Sequence, residues 1–171
     1  MAKSAPALNV ENISVAYDGP DVIRDINISV KSGEVFGLMG LNGAGKTTLI
    51  KAILGLRTQS AGSIEIFGDH ALKKAAKEQL AYLPERFEPP WFLTGMEFLK
   101  FSLDLYRQPF DKEFIIERAR SVALDPDVLN KRVQTYSKGM RQKLGLLGTA
   151  LTNCSLLILD EPMSGLDPLA R

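Results

Sequence analysis

The residues from Gly40 to Thr48 combine glycines, a lysine and hydroxyl side chains in a spacing that suits phosphate binding. They read G-L-N-G-A-G-K-T-T, which fits the pattern G-x-x-x-x-G-K-[ST]. The glycines let the backbone curl until several N–H groups point at one spot. Lys46 can then neutralise the β- and γ-phosphates of a nucleoside triphosphate, and the Thr47 hydroxyl can ligate Mg²⁺. The pattern therefore predicts a triphosphate-binding loop.

A strand and a helix must hold this loop in place. The apolar run 35–39 precedes it and is typical of a buried parallel strand. The residues after it predict a helix over 48–54 that ends at Gly55 and adds its N-terminal partial charge to the phosphate site. The predicted buried face of this helix consists of Leu49, Ile53 and Leu56.

A second group of candidate catalytic residues follows the apolar run 156–159. Asp160 ends this predicted apolar strand, and Glu161 comes next. The first carboxylate can hold Mg²⁺ through its waters, and the second can orient or deprotonate an attacking water. Alone, the motif could equally be a strand followed by a turn. Together with the phosphate loop, it predicts metal-assisted phosphoryl transfer.

The composition is that of an ordinary globular domain. The chain has 171 residues, of which 45% are hydrophobic and 24% charged, and its formal net charge is +1. This near-neutral charge disfavours a nucleic-acid binder, and no apolar stretch of the sequence is long enough to span a membrane. The single cysteine, Cys154, excludes an internal disulfide. The only histidine, His70, is expected at the surface without a metal role.

Two kinds of residue pattern, one typical of strands and one typical of helices, surround the motifs. Up to about residue 68, alternating apolar and polar residues predict antiparallel strands around 13–17, 26–30 and 64–66. From about 87 to 148 the pattern is helical, and capping residues are Thr94 with Glu97, Asp111, and Ser137. The apolar stripes predicted to form the helical core are Phe98, Phe101 and Leu105, then Phe114, Ile115, Ala119 and Val122, then Met140, Leu144, Leu147 and Leu151.

These motifs, in this order, resemble the nucleotide-binding domains of the ATP-binding-cassette (ABC) family over almost the whole chain. The phosphate loop matches Walker A, 156–161 matches Walker B with its catalytic glutamate, and 164–167 resembles the D-loop. The segment Y-S-K-G-M at 136–140 resembles the ABC signature, usually L-S-G-G-Q, and keeps Ser137 and Gly139. Its variant form is similar to that of bacterial ABC-2-type exporters.

The resemblance implies an α/β fold of the P-loop NTPase class. Such a fold has a RecA-like parallel sheet core, an N-terminal antiparallel β subdomain and an α-helical subdomain, here at about 87–148. The family also has a γ-phosphate-contacting histidine and a further strand beyond Walker B, lying between the two Walker strands. The sequence stops before both, so we expect 1–171 to be one partial domain without its C-terminal part.

The resemblance also implies roles for single residues. Tyr17 occupies the position of an adenine-stacking aromatic, although an ordinary strand-end tyrosine would look the same. Glu85 takes the place of the Q-loop glutamine, and Trp91 lies either beside the groove for the membrane subunit or in ordinary packing. The implied catalytic residues are Lys46, Glu85 and Glu161, and the implied Mg²⁺ ligands are Thr47, Glu85 and Asp160. The implied ATP-binding residues are Tyr17, Asn42, Gly43, Ala44, Gly45, Lys46, Thr47, Thr48, Ser137 and Gly139.

The function that follows from the resemblance is an ATP-binding, ATP-hydrolysing subunit of an ABC membrane transporter, with an exporter favoured. It would work as a homodimer or with a paralogous cassette, at the cytoplasmic face of the membrane, with a membrane-spanning partner and no nucleic acid. The chain as given would be weakly active or inactive. The alternatives are a soluble ABC ATPase acting on ribosomes or DNA, and a nucleotide sensor without catalysis. The intact Lys46, Asp160 and Glu161 argue against the sensor.

Overall fold

The first half of the chain is organised by an antiparallel sheet of four strands in the order β2-β1-β3-β4. A computed structural model describes residues 5–17 and 19–163, which fall into two units, Met1–Leu80 and Ala81–Arg171. In the first unit, β1 pairs with β2 on one side and with β3 on the other. The strands are β1 (Leu8–Ala16), β2 (Asp21–Val30), β3 (Ala61–Ile66) and β4 (Asp69–His70).

The sheet has one buried face, as the alternating pattern predicted. Ile13 and Val15 of β1 and Ile64 and Ile66 of β3 are almost completely buried. Because neighbouring side chains of a strand point to opposite faces, one row of apolar residues forms the core and the other row is partly exposed. The predicted antiparallel strands are therefore confirmed.

Helix α1 (Lys46–Ile53) follows the phosphate loop and ends at a left-handed glycine, as predicted. Gly55 has φ 70, its N–H donates to Ala52 O, and the next N–H donates to Lys51 O. These are the two hydrogen bonds of a Schellman motif. Leu49 and Ile53 are buried, but Leu56 is 70% exposed. The prediction for Leu56 was wrong because the chain reverses at Gly55 and leaves the helical face.

The run 35–39 does not form the predicted buried strand. No strand is present there, and Val35 and Met39 are 99% and 91% exposed. A parallel strand needs backbone partners on its neighbours, and no strand among the described residues pairs with this run. The apolar composition alone could not supply those partners, so the prediction of a buried strand was wrong.

Residues 81–163, which form the described part of the second unit, contain together with Leu80 three α-helices and a two-stranded sheet. Within the described residues, no helix has the length and apolar character needed to cross a bilayer. Short helix α2 (Lys74–Lys77) belongs to the first unit. The remaining elements are β5 (Leu80–Leu83), α3 (Gly95–Leu105), α4 (Lys112–Ser121), 3₁₀ turns at Pro126–Asn130 and Val133–Thr135, α5 (Lys138–Leu151) and β6 (Leu156–Leu159), with β6 paired to β5.

The predicted caps fix where these helices begin. The Thr94 side chain accepts a hydrogen bond from the Glu97 N–H at 3.2 Å, and the Thr94 N–H donates to Glu97 Oε2 at 2.8 Å. The Asp111 carboxylate accepts from two N–H groups in the first turn of α4. These side chains satisfy amide groups that have no partner inside a helix.

The stripe predicted for α3 is confirmed only at Phe98, which packs against the helical core, and is wrong at Phe101 and Leu105. Leu99 and Leu103 are buried with Leu144 and Leu147 of α5, whereas Phe101 and Leu105 are 50% and 65% exposed. Two residues along a helix correspond to about 200° of rotation, so a stripe displaced by two positions faces the opposite side. On α4 the predicted core residues Ile115 and Ala119 are buried, and only Phe114, which is 42% exposed, was predicted wrongly.

Candidate functional site

The phosphate loop takes its shape from two left-handed glycines. Gly43 has φ 83 and Gly45 has φ 90, values that side-chain-bearing residues rarely adopt. Gly45 is also the N-cap of α1, and a Cβ there would collide with Ile23 Cγ2 on β2. Glycine at this position therefore permits both the turn and the close approach of loop and sheet.

These two glycines give a direct test of the loop. We expect Gly43→Ala to lower the free energy of unfolding by about 1 kcal/mol, because its Cβ would meet nothing within 4 Å and only the positive φ is unfavourable. Gly45→Ala should lower it by about 2–4 kcal/mol, because the collision with Ile23 is added. Chemical denaturation without nucleotide measures both. Equal losses for the two variants would contradict the close packing at Gly45.

Lys46 lies over the loop that it is predicted to serve. Its Nζ donates to Gly40 O at 2.7 Å and to Leu41 O at 3.0 Å. The ammonium group is thus held by the curl of the backbone, beside the exposed residues 41–44 and the first turn of α1. Thr47 is exposed and its hydroxyl can ligate a metal, whereas Thr48 is buried. This arrangement fits a polyphosphate, since an ammonium group and an exposed glycine-rich loop lie beside the N-terminus of α1.

Tyr17 lies next to this helix, just after β1. Its hydroxyl is 3.4 Å from Thr48 Oγ1, and its ring is 38% exposed. The Arg57 guanidinium lies 3.9 Å from the ring centroid in a cation–π contact. The structure therefore brings Tyr17 to the phosphate-loop helix, as adenine stacking would require. Arg57 was not identified from the sequence, because nothing in the sequence pairs it with a tyrosine 40 positions earlier.

Asp160 is the buried acidic residue at the end of β6. It is 8% exposed, and its N–H donates to Leu83 O of β5 at 2.9 Å. The Tyr82 hydroxyl donates to Asp160 Oδ2 at 3.5 Å, a long contact. Burial and then the Asp160 charge raise the pKa of Tyr82, so this phenol keeps its proton and remains a donor. No role for Tyr82 beside Asp160 was predicted, because a tyrosine two residues before a proline carries no such signal.

Glu161 follows in an exposed and strained position. Its φ is 47, in the left-handed region that costs energy for a residue with a side chain. The strand before it is only half-buried: Leu157 and Leu159 are 42% and 40% exposed. The predicted strand at 156–159 is confirmed as β6, and the described strands pair with it on one edge alone.

The signature segment opens α5. The Ser137 Oγ accepts a hydrogen bond from Met140 N at 3.2 Å and caps the helix as predicted. Ser137 and Lys138 are exposed, and Gly139 is half-buried. A 14-residue helix with an open N-terminus, a hydroxyl and a bare glycine can accept an anion.

Helix α5 packs closely against the loop that carries the exposed Glu85. A Cβ on Gly145 would lie 2.7 Å from both Leu83 Cδ1 and Phe87 Cδ1. Beside this contact is a cavity of about 550 Å³, and the Nε2 atom of Gln142 on its wall is buried without a hydrogen-bond partner among the described residues. Gln142 was not selected from the sequence. The cavity is lined by Glu85, Arg86, Phe87, Glu88, Pro89, Trp91, Val133, Lys138, Arg141 and Gln142.

The predicted site residues thus form two groups. The loop 40–48 and Tyr17 lie in the first unit, and Glu85, the signature, Asp160 and Glu161 lie in the second. The predicted D-loop, 164–167, falls outside the described residues. Among the described residues, no three His, Cys, Asp or Glu side chains cluster as a metal site. The oxygen atoms of Thr47 in the first unit and of Asp160 in the second are each of the kind that Mg²⁺ prefers as ligands.

Comparison with known proteins decides the family, because the protein-family model described as "ABC transporter" matches residues 23–164 of the sequence. The chain belongs to the ABC transporter family. It is 38% identical to the uncharacterized ABC transporter ATP-binding protein YdbJ of Bacillus subtilis, over 95% of this chain and 53% of that protein. It is 33% identical to the Nod factor export ATP-binding protein I of Rhizobium leguminosarum bv. viciae, over 98% of this chain and 55% of that protein.

A solved ABC structure confirms the fold class. The putative ABC transporter ATP-binding protein from Pyrococcus furiosus superimposes with a TM-score of 0.86 and 30% identity, over 95% of this chain and 79% of that one. The chain is therefore an α/β P-loop NTPase domain of the ABC type, and domains of this family bind ATP, generally with Mg²⁺. The chain spans about half the length of the curated relatives it matches.

Proposed function

We propose that this chain is the ATP-binding part of a subunit that hydrolyses ATP to drive an ABC membrane transporter. The observation that carries the proposal is the Lys46 ammonium held over the carbonyls of Gly40 and Leu41, within a matched ABC domain. A relative named for Nod factor export supports a transport role, and export is the direction we propose.

Residues of this chain are proposed to bind the phosphates and adenine, to hold the metal ion and to activate the attacking water. The loop amides and Lys46 bind the β- and γ-phosphates, and Tyr17 offers a ring face to adenine once Arg57 leaves that face. Thr47 and Asp160 hold Mg²⁺, with Glu85 reaching the ion or its water. When bound, the ion offsets the negative charge that builds up on the phosphates. Glu161 orients the attacking water and takes its proton.

The proposed catalytic unit is a dimer. Ser137 and Gly139 stand at an exposed helix N-terminus, a site suited to a phosphate that a second copy or a paralogous cassette presents. Hydrolysis then needs residues from two chains, so we expect little turnover from 1–171 alone. The proposed location is the cytoplasmic face of the membrane, where the cassette meets ATP.

The cavity beside Glu85 supports a membrane-spanning partner. Its wall combines apolar Phe87 and the 64%-exposed Trp91 with the buried Nε2 of Gln142, for which the described part of the chain offers no hydrogen-bond partner. A buried donor without a partner is unfavourable by itself, and a carbonyl or carboxylate from a docked helix would satisfy it. Exposed tryptophan is a common anchor at interfaces. We therefore place the membrane subunit at this cavity.

Removing the Trp91 side chain should weaken binding to the membrane subunit without changing ATP binding. We expect Trp91→Ala, in the full-length protein co-expressed with its membrane subunit, to weaken co-purification roughly 30-fold or more, because a tryptophan that acts as an interface hot spot contributes about 2 kcal/mol or more. Phe101→Ala is the matched control, since it removes an aromatic that is 50% exposed on α3 and does not line the cavity. ATP affinity should stay unchanged in both.

The same experiment addresses the alternative of an ABC ATPase acting on ribosomes or DNA. Co-purification of a multi-span membrane protein, lost in Trp91→Ala and kept in Phe101→Ala, would support the transporter. Recovery of ribosomal particles or nucleic acid without a membrane protein would support the alternative. A sensor without catalysis would bind ATP and show no phosphate release in the assembled complex.

A further inference from the structure

The residue before the signature serine is a tyrosine where the family usually has leucine. Tyr136 directly precedes Ser137, the N-cap of α5, and its side chain is 4% exposed. Leucine would bring only apolar surface to this buried position. Tyrosine adds a hydroxyl, and a buried hydroxyl needs a hydrogen-bond partner.

That partner lies in the 3₁₀ turn Pro126–Asn130. The Tyr136 hydroxyl donates to Val128 O at 2.5 Å, and the Tyr136 N–H donates to Val133 O at 2.9 Å. The residue before the cap is therefore tied at its backbone and at the tip of its side chain. Burial raises the pKa of Tyr136 to about 12, with the Gly95 amide opposing the shift, so the hydroxyl keeps the proton that it donates.

The first residue of α3 is shaped to accept the phenol. A Cβ on Gly95 would collide with the Tyr136 hydroxyl and would lie 3.2 Å from Tyr136 Cζ and from Leu129 Cα. Gly95 is buried in the first turn of α3, although glycine is a poor helix former. The start of α3, the 3₁₀ turn and the start of α5 thus meet at one phenol.

We propose that Tyr136 is a positioning residue that sets the direction in which the N-terminus of α5 presents Ser137 and Gly139. The inference rests on the proposed function, in which those two residues bind the phosphate held by a second copy. Val128 O also accepts from Lys131 N at 2.8 Å, so loss of the hydroxyl leaves no unsatisfied carbonyl. What is lost is the tether between the helix start and the turn.

The test uses the full-length protein carrying Glu161→Gln, with dimer formation in MgATP followed by sedimentation velocity. Tyr136→Phe removes only the hydroxyl and should weaken the ATP-dependent dimer about 2- to 12-fold. ATP affinity of the monomer should not change, because the phosphate loop is untouched. Dimerisation of Tyr136→Phe with unchanged affinity would overturn the proposal.

A second pair of variants separates positioning from stability. Tyr136→Leu should lower both the unfolding temperature and dimer affinity. Adding Gly95→Ala puts a better helix former in α3 and a methyl group where the hydroxyl was, still 3.2 Å from Leu129 Cα, so any recovery of the unfolding temperature should come without recovery of dimer affinity. Recovery of both together would mean that Tyr136 acts through stability alone and would overturn the proposal.

Hydrogen exchange distinguishes this inference from the function on which it rests. The Met140 N–H, which donates to Ser137 Oγ, should exchange about 2- to 12-fold faster in Tyr136→Phe than in the parent, without nucleotide. If Tyr136→Phe exchanges faster than the parent but the parent itself never dimerises with ATP, the tether is supported and the proposed role of the signature in dimerisation is rejected. Unchanged exchange would reject the tether itself.

Discussion

Replacing Lys46 with alanine is expected to weaken MgATP binding by about 10- to 150-fold. The ammonium is held over the phosphate loop by Gly40 O and Leu41 O, where it can exchange these carbonyls for phosphate oxygens. A hydrogen bond to a charged group contributes roughly 1.5–3 kcal/mol, and the loss of that free energy corresponds to the 10- to 150-fold weaker binding expected here. Isothermal titration with MgATP measures the loss directly.

A second lysine on the same helix provides the control. Lys51 is exposed near the end of α1, away from the loop, so Lys51→Ala removes the same charge without a phosphate contact. Its effect on affinity should be below about twofold, because exposed charges contribute little. Comparable losses in the two variants would show that overall charge binds the nucleotide. Unchanged affinity in Lys46→Ala would reject the phosphate-loop assignment.

Signals contained within a few residues were readable from the sequence. The capping box of Thr94 and Glu97, the caps at Asp111 and Ser137, and the left-handed Gly55 all form as expected. Each depends on a side chain or a φ angle that satisfies its own neighbours in the chain. The phosphate loop belongs to the same class, because its curl is set by its own glycines.

Features that depend on distant partners were not readable. The apolar run 35–39 had the composition of a buried strand, yet a strand exists only where another offers its backbone groups. On α3 both Leu99 with Leu103 and Phe101 with Leu105 follow helical spacing, so periodicity could not choose between opposite faces. The packing of α5 makes that choice, and it buries the leucines.

The same limit applies to the candidate site. The motif residues were found because each motif is contiguous, but the residues that support them were not. Tyr82 contacts Asp160 across 78 positions, and Gln142 faces a cavity made largely by the loop after β5. Their roles come from proximity in the fold, which no local pattern encodes. Supporting residues are accordingly where the structure adds most to the sequence.

Replacing Glu161 with glutamine should lower ATP turnover by about 10²–10⁴-fold in the full-length protein, because an amide cannot take the proton of the attacking water. Glutamine has nearly the same shape, and the exposed side chain has no packing role, so the strained φ of 47 and the fold should persist. ATP binding should remain. The ATP-bound dimer should then accumulate and be visible by size-exclusion chromatography.

Two control variants show whether the loss of turnover in Glu161→Gln comes from losing the proton acceptor, from losing a metal ligand or from losing a negative charge. Asp160→Asn removes a buried carboxylate proposed to hold Mg²⁺, so its turnover should recover partly as Mg²⁺ is raised, while that of Glu161→Gln should not. Glu117→Gln neutralises an exposed glutamate of α4 and should leave turnover unchanged. Phosphate release across a Mg²⁺ series measures all three. If Glu161→Gln keeps wild-type turnover, another group activates the water, and the strain at position 161 has no catalytic meaning.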